Sequence, residues 1–353
     1  MPRPSIPRRT FLWMPAAAAG ISAPAAVAAD AGITARATAA VRRHLDLLLD
    51  PSGRAVNIKG KDAAALTSMC FEILHASTGE ARYRRAAVEL AGRVLTAMRA
   101  SPTGVLPIKE KDRGGEKFLG GGPPALGWYA ACLAWVLHRA GGREADLEYV
   151  AQVVDRFPWN PDGWWANTIE AATGRPDVIE RPTPVNKNAS MVMAAAVLSE
   201  TLPPAGAALA ARLRAKGLAC LRRRILPAQM SDGYWHYGLT GGDPKNKELL
   251  GYFLLSAGLL VRVRRPTPSF RDAALDTALD RAAGFAAQRI AGRYDAATDP
   301  RRVFDLILLL ADTGRTAQAA RILDSAFDQF PFGNAGQDGA RCACDLATLL
   351  VRA

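Results

Sequence analysis

Two short stretches concentrate the side chains that could hold an anion and move a proton. The first, SDGYWHYGLTGGDPKNKE at residues 231–248, places Tyr234, His236 and Tyr237 almost side by side. The second, PVNKNAS at residues 184–190, offers Asn186, Lys187 and Asn188. Removing a proton next to a carboxylate needs groups that neutralise that carboxylate, plus a base and an acid of suitable pKa. Lys187 and Asn188, with Asn186 beside them, suit the first task. His236, Tyr237 and Tyr234 suit the second. Each also has a plainer reading: the asparagines can cap a helix, and His236 can be a surface histidine.

A second chemistry, hydrolysis of a glycosidic bond, needs two carboxylates flanking the bond. Loop positions Asp112 and Asp232, with Asp162 and Asp338, are candidates, as are Asp305 and Asp345 in the related pieces RRVFDL and RCACDL. Arg301 and Arg341 lie four residues ahead of those last two acids. Arg before Asp is the weaker order for a helical pair, so partners on other elements are expected, and a structural bridge is the simpler role. Asp162 and Asp232 each precede a glycine and are good turn residues without any chemistry.

Charge and aromatic rings cluster with these candidates. Of nine lysines, all but Lys216 fall in or beside long loops, among them Lys59, Lys109, Lys111, Lys245 and Lys247. They are read as an anion-gathering funnel. The pieces PDGWW and SDGYW repeat an Asp-Gly-aromatic-Trp turn, and Trp164, Trp165 and Trp235 are candidate platforms for sugar rings. The alternative is that these tryptophans seal a rim. Lysines and aromatics would also suit single-stranded nucleic acid, but no nucleic-acid motif accompanies them, and that partner is not expected.

The elements that must position these residues repeat. FEILHASTGEARYRRAAVELAGRVL, LAWVLHRAGGREADLEYVAQVVDRF and LILLLADTGRTAQAARILDSAFDQF each read as an apolar helix, a glycine stop and an amphipathic helix. Breaks near residues 79, 141, 203, 266 and 314 recur with a period of about sixty. The pattern predicts an all-α chain with two alternating kinds of helix. Apolar ones lie near 61–76, 123–139, 188–201, 246–263, 300–312 and 341–352, and amphipathic ones near 33–49, 80–99, 144–156, 205–225, 270–290 and 315–329. A helix apolar on every side must be buried on every side. The chain therefore resembles an (α/α)6 toroid, the six-hairpin barrel of many glycosidases and polysaccharide lyases, closed by pairing the first outer helix with the last inner one. An open α-solenoid has the same periodicity and stays as the alternative. The resemblance implies that the long loops at 50–60, 100–122, 157–187, 226–245, 291–299 and 330–340 gather at one mouth with six inner-helix N-termini. It also implies a carbohydrate substrate. With the basic, aromatic mouth, the expectation is an anionic, uronate-containing polysaccharide or oligosaccharide cleaved by β-elimination. A glycoside hydrolase and a glycan-binding protein without catalysis are the alternatives.

The N-terminal piece PRRTFLWMPAAAAGISAPAAVAAD resembles a twin-arginine export signal, with Arg8 and Arg9, a mild apolar run and an Ala26-Val27-Ala28 cleavage site. Residues 1–28 are read as signal and 29–353 as one toroid domain, exported by the twin-arginine translocase to the periplasm or beyond, with no stable membrane insertion. Cleavage removes three of the arginines and no acid, lowering the net charge from +12 to +9. Cys70, Cys132 and Cys220 sit in apolar helical runs and read as buried thiols, while Cys342 and Cys344 are too close for an easy disulfide. Four histidines without a ligand spacing suggest neither a metal nor another cofactor. His75 and His138 read as structural.

Overall fold

The computed structural model describes residues 23–56, 58, 60–106, 109–113, 116–120, 122–170, 172–176, 184–237, 249–296 and 298–351, with backbone alone at 23–30, 109–113, 116–120 and 122–125. Six inner helices, α2 (Lys61–Thr78), α4 (Gly122–Ala140), α6 (Val185–Thr201), α8 (Leu250–Arg264), α10 (Pro300–Asp312) and α12 (Gln337–Leu350), alternate with six outer ones. The outer helices are α1 (Ala23–Asp46), α3 (Ala81–Ala100), α5 (Glu144–Arg156), α7 (Ala207–Cys220), α9 (Ala273–Arg289) and α11 (Thr316–Ala326). A π-turn, Leu221–Ile225, continues α7.

Each inner helix packs on the next around the ring, and α12 packs on α2. The first helix, α1, lies against α12 and α11 and completes the outer layer. This is a closed (α/α)6 toroid, and the contact of α12 with α2 rules out the open solenoid. The inner helices are apolar all round because they are covered all round: in α8, every residue from Phe253 to Val263 is buried. At roughly 1.5–3 kcal/mol for each large apolar side chain, this core drives the fold. Close approach is specified too. A side chain on Gly127 of α4 would run into the Ser190 carbonyl of α6, so that helix pair needs glycine there.

Three differences from the sequence expectation stand out. Helix α1 begins at Ala23 rather than near residue 33, so Ala28 lies inside a helix. The alanine-rich run has the propensity to extend it. Small strands β1 (Lys109–Arg113), β2 (Glu116–Gly120) and β5 (Ile169–Glu170) pair in the order β1-β2-β5, joining the second long loop to the third. A second two-stranded piece pairs β3 (Trp159–Asn160) with β4 (Trp164–Trp165). The barrel axis is also not wholly apolar. Arg262 pairs with Asp345, and Arg341 with Asp305, all four side chains being buried. All five cysteines are buried and free. Among the described residues no helix is long and apolar enough to cross a membrane.

Candidate functional site

The inner-helix N-termini face one end of the toroid, where described parts of the second and third long loops pair as strands and Tyr237 of the fourth meets the start of α6. Between the starts of α8, α10 and α12 lies a cleft of about 240 Å³ lined by Gly251, Tyr252, Tyr294, Arg301, Arg302 and Arg341, with Leu249 and Leu255. Arg302 lies over the Tyr294 ring, 4.9 Å from its centroid. Among the described residues each arginine has one acidic partner: Arg302 bonds Asp299 at 2.8 Å, Arg301 pairs with Asp338 at 3.0 Å, and Arg341 bonds Asp305. A guanidinium has five N–H donors, so one carboxylate leaves donors over. The cleft is thus rich in donors without a large excess of charge. The N-terminal ends of three helices add their partial positive charge.

The two Asp-Gly-aromatic-Trp turns form as turns. Gly163 and Gly233 both take positive φ, at 103° and 94°. Asp232 is exposed and accepts the Tyr234 N–H at 3.1 Å, which fixes its own turn. Beyond Gly233 the chain turns inward. Trp235 is buried, its indole donating to the Ile225 carbonyl at 2.9 Å. Tyr234 is buried against Phe253 and Phe285, each ring 5.2 Å away. His236 stands edge-on to Tyr234, and its Nδ1 is buried without a hydrogen-bond partner among the described residues. Of the described residues of this stretch, Tyr237 reaches toward the cleft: its ring is 4.7 Å from Tyr252, and its carbonyl accepts the Val185 N–H at 3.0 Å. Burial, and then the Tyr252 ring, push the Tyr237 pKa up.

The start of α6 serves the scaffold. Asn188 is fully buried and accepts the Trp165 N–H at 3.1 Å, which ties the third loop to the helix. Lys187 donates to Asn167. Asn186 is buried, with its Oδ1 unpaired among the described residues. Trp165 is buried edge-on to Trp159, whereas Trp164 is half-buried under the Arg224 guanidinium, 4.6 Å from its ring. The indoles of Trp165 and Trp235 are therefore core, leaving Trp164 as the more open of the three. Lys59, Lys245 and Lys247 lie outside the described residues, as do the side chains of Lys109, Lys111 and Asp112. Asp305 and Asp345 do not flank a cleft as a carboxylate pair: both are fully buried against arginines, and burial drives the Asp345 pKa upward against the pull of Arg262.

Sequence reasoning passed over several residues of this end. Asp62, in the first turn of α2, is partly buried, and that burial raises its pKa to about 6 despite Lys61 beside it. An acid following Gly60-Lys61 at the start of an inner helix was the available signal. Tyr252, Tyr294 and Arg302 were also missed. Applying to tyrosine and arginine the mouth rule used for lysine would have found them. Among the described residues no group of three or more His, Cys, Asp or Glu side chains could hold a metal ion.

No family model matches the sequence, and no curated protein matches it. Solved structures are similar in fold. A D-mannose isomerase aligns over 93% of this chain and 99% of its own, at 14% identity and a TM-score of 0.55. A family 105 glycoside hydrolase from C. acetobutylicum ATCC 824 aligns over 74% and 77%, at 15% identity and a TM-score of 0.52. At such identity the likeness is one of architecture: the chain shares the closed six-hairpin α/α toroid.

Proposed function

We propose that the chain is an exported enzyme that binds and cleaves a uronate-bearing saccharide at the mouth of the toroid. The observation that carries this reading is the cleft, where Arg301, Arg302 and Arg341 stand beside Tyr252 and Tyr294. Guanidinium forks suit a carboxylate, and flat aromatic faces suit a pyranose ring. The fold shared with a glycoside hydrolase and a sugar isomerase agrees with a sugar substrate. Export rests on Arg8, Arg9 and the Ala26-Val27-Ala28 site, and a secreted form starting at Ala29 on N-terminal sequencing would support it.

Of the two cleavage chemistries, acid-assisted hydrolysis has its candidate acid at the start of an inner helix, outside the lining of the cleft. Burial lets Asp62 keep its proton to about pH 6, the state a general acid needs. For β-elimination, Tyr237 against Tyr252 is the feature nearest the cleft, while Asn188 and Tyr234 are engaged in packing. The test incubates the full chain with alginate, pectate, hyaluronan, chondroitin and heparin fragments. New reducing ends without unsaturated-uronate absorbance, lost in Asp62→Asn, support hydrolysis. Absorbance lost in Tyr237→Phe moves the assignment to β-elimination. Cleavage of neutral glycans alone sinks the uronate reading.

A further inference from the structure

Two donors at the upper end of the barrel axis have no acceptor among the described residues. Trp128, in the second turn of α4, is 4% exposed, and its indole N–H has no acceptor among the described residues. Arg341, in the second turn of α12, is 7% exposed. Its Nη2 is bonded to Asp305, yet its Nε–H lacks an acceptor too. The two side chains meet, with the guanidinium carbon 5.8 Å from the Trp128 ring centroid. Helices α4 and α12 both flank α2 in the ring. Arg341 also lines the cleft.

Buried N–H groups are nearly always paired, and leaving two neighbours unpaired is unfavourable. The missing partner is an acceptor, and its charge can be argued. Asp305 already balances one positive charge on Arg341, and Asp345 balances Arg262 below. A singly charged, planar acceptor fits that balance better than a dianion. Building on the uronate reading above, we infer that Trp128 and Arg341 form the floor of the cleft and bind the substrate carboxylate, setting preference for a uronic acid over the neutral hexose. Asp305 is the positioning residue. Its Oδ1 lies 3.1 Å from where a Cβ on Gly258 would stand, so the carboxylate is seated against α8 while its other oxygen holds Arg341.

The test measures affinity of the full chain for D-glucuronate, D-galacturonate and D-mannuronate against glucose, galactose and mannose by calorimetry. Wild type is expected to favour at least one uronate over its matching hexose by about tenfold or more. Trp128→Phe and Arg341→Lys should each bring that ratio to within about threefold, with a cooperative thermal melt showing that each variant is folded. Asp305→Asn should lower the ratio by misplacing Arg341, an effect on charge discrimination that a loss of stability alone does not produce. A ratio that survives in Trp128→Phe and Arg341→Lys overturns the floor while leaving the uronate reading intact. A wild-type chain that prefers no uronate overturns both.

Discussion

The Asp62 carboxyl has one titration that shows in two observables. Its pKa in the fold is about 6 against an ordinary 3.8, because burial disfavours the charged form. The folded chain therefore holds more protons than the unfolded one between those values. Stability contributed by this group rises as pH falls through 6 and is withheld above it. Asp62→Asn removes the buried charge, so urea unfolding at pH 7.5 should show a variant more stable by about 1–3 kcal/mol. Turnover should fall by about 100-fold or more, and wild-type turnover should decline as pH rises through about 6. A variant less stable at pH 7.5 would mean that the carboxylate is paired there, which removes the acid role.

Asn188 is where a reading at the level of elements replaces one at the level of chemistry. Its place at an inner-helix start suggests a carboxylate holder, but its side chain joins α6 to the strand pair β3–β4 through the Trp165 N–H. Asn188→Ala leaves that buried N–H without its acceptor and should lower stability by about 1–3 kcal/mol in thermal or urea unfolding, with turnover per folded molecule kept. Lost turnover at unchanged stability would return Asn188 to the site. The sequence showed the helices well, because an apolar run such as that of α8 can only be buried and an amphipathic run such as α3 can only cover it. Strands β1 and β2, KEKDR and EKFLG, carry too much charge to read as strands, and they form by pairing across loops. The arginines of the cleft were harder to see. Arginine is spread over the outer helices, and only the closed ring separates Arg302 and Arg341 from the rest. Which tryptophans face inward depends on turns whose partners are distant in sequence, as Trp165 with Asn188 and Gly233 with Arg281 show.

A ring has a seam, and in this molecule the chain's first and last helices form it. His44, near the end of α1, is fully buried at that seam, 5.5 Å edge-on from Phe330, with Gly339 of α12 close against its ring. Burial lowers its pKa from 6.5 to about 4. The Pro331 carbonyl opposes the shift, though among the described residues neither ring nitrogen makes a well-formed hydrogen bond. The unfolded chain takes a proton near pH 6.5 and the folded chain resists until about 4. Stability from this group is therefore full above pH 6.5 and is lost as pH falls from there toward 4. The loss amounts to about 3 kcal/mol at most. Asp62 works in the opposite sense between pH 6 and 3.8, and other shifted carboxylates such as Asp146 and Asp155 add their own changes on acidification, so wild type alone shows only the sum. His44→Phe separates them. Unfolding midpoints in urea from pH 8 to 4 should show the variant losing less stability on acidification than wild type, while Asp62→Asn loses more. Parallel curves for His44→Phe and wild type would mean that the seam admits the proton without opening. The acid sensitivity of ring closure would then lie elsewhere than between α1 and α12.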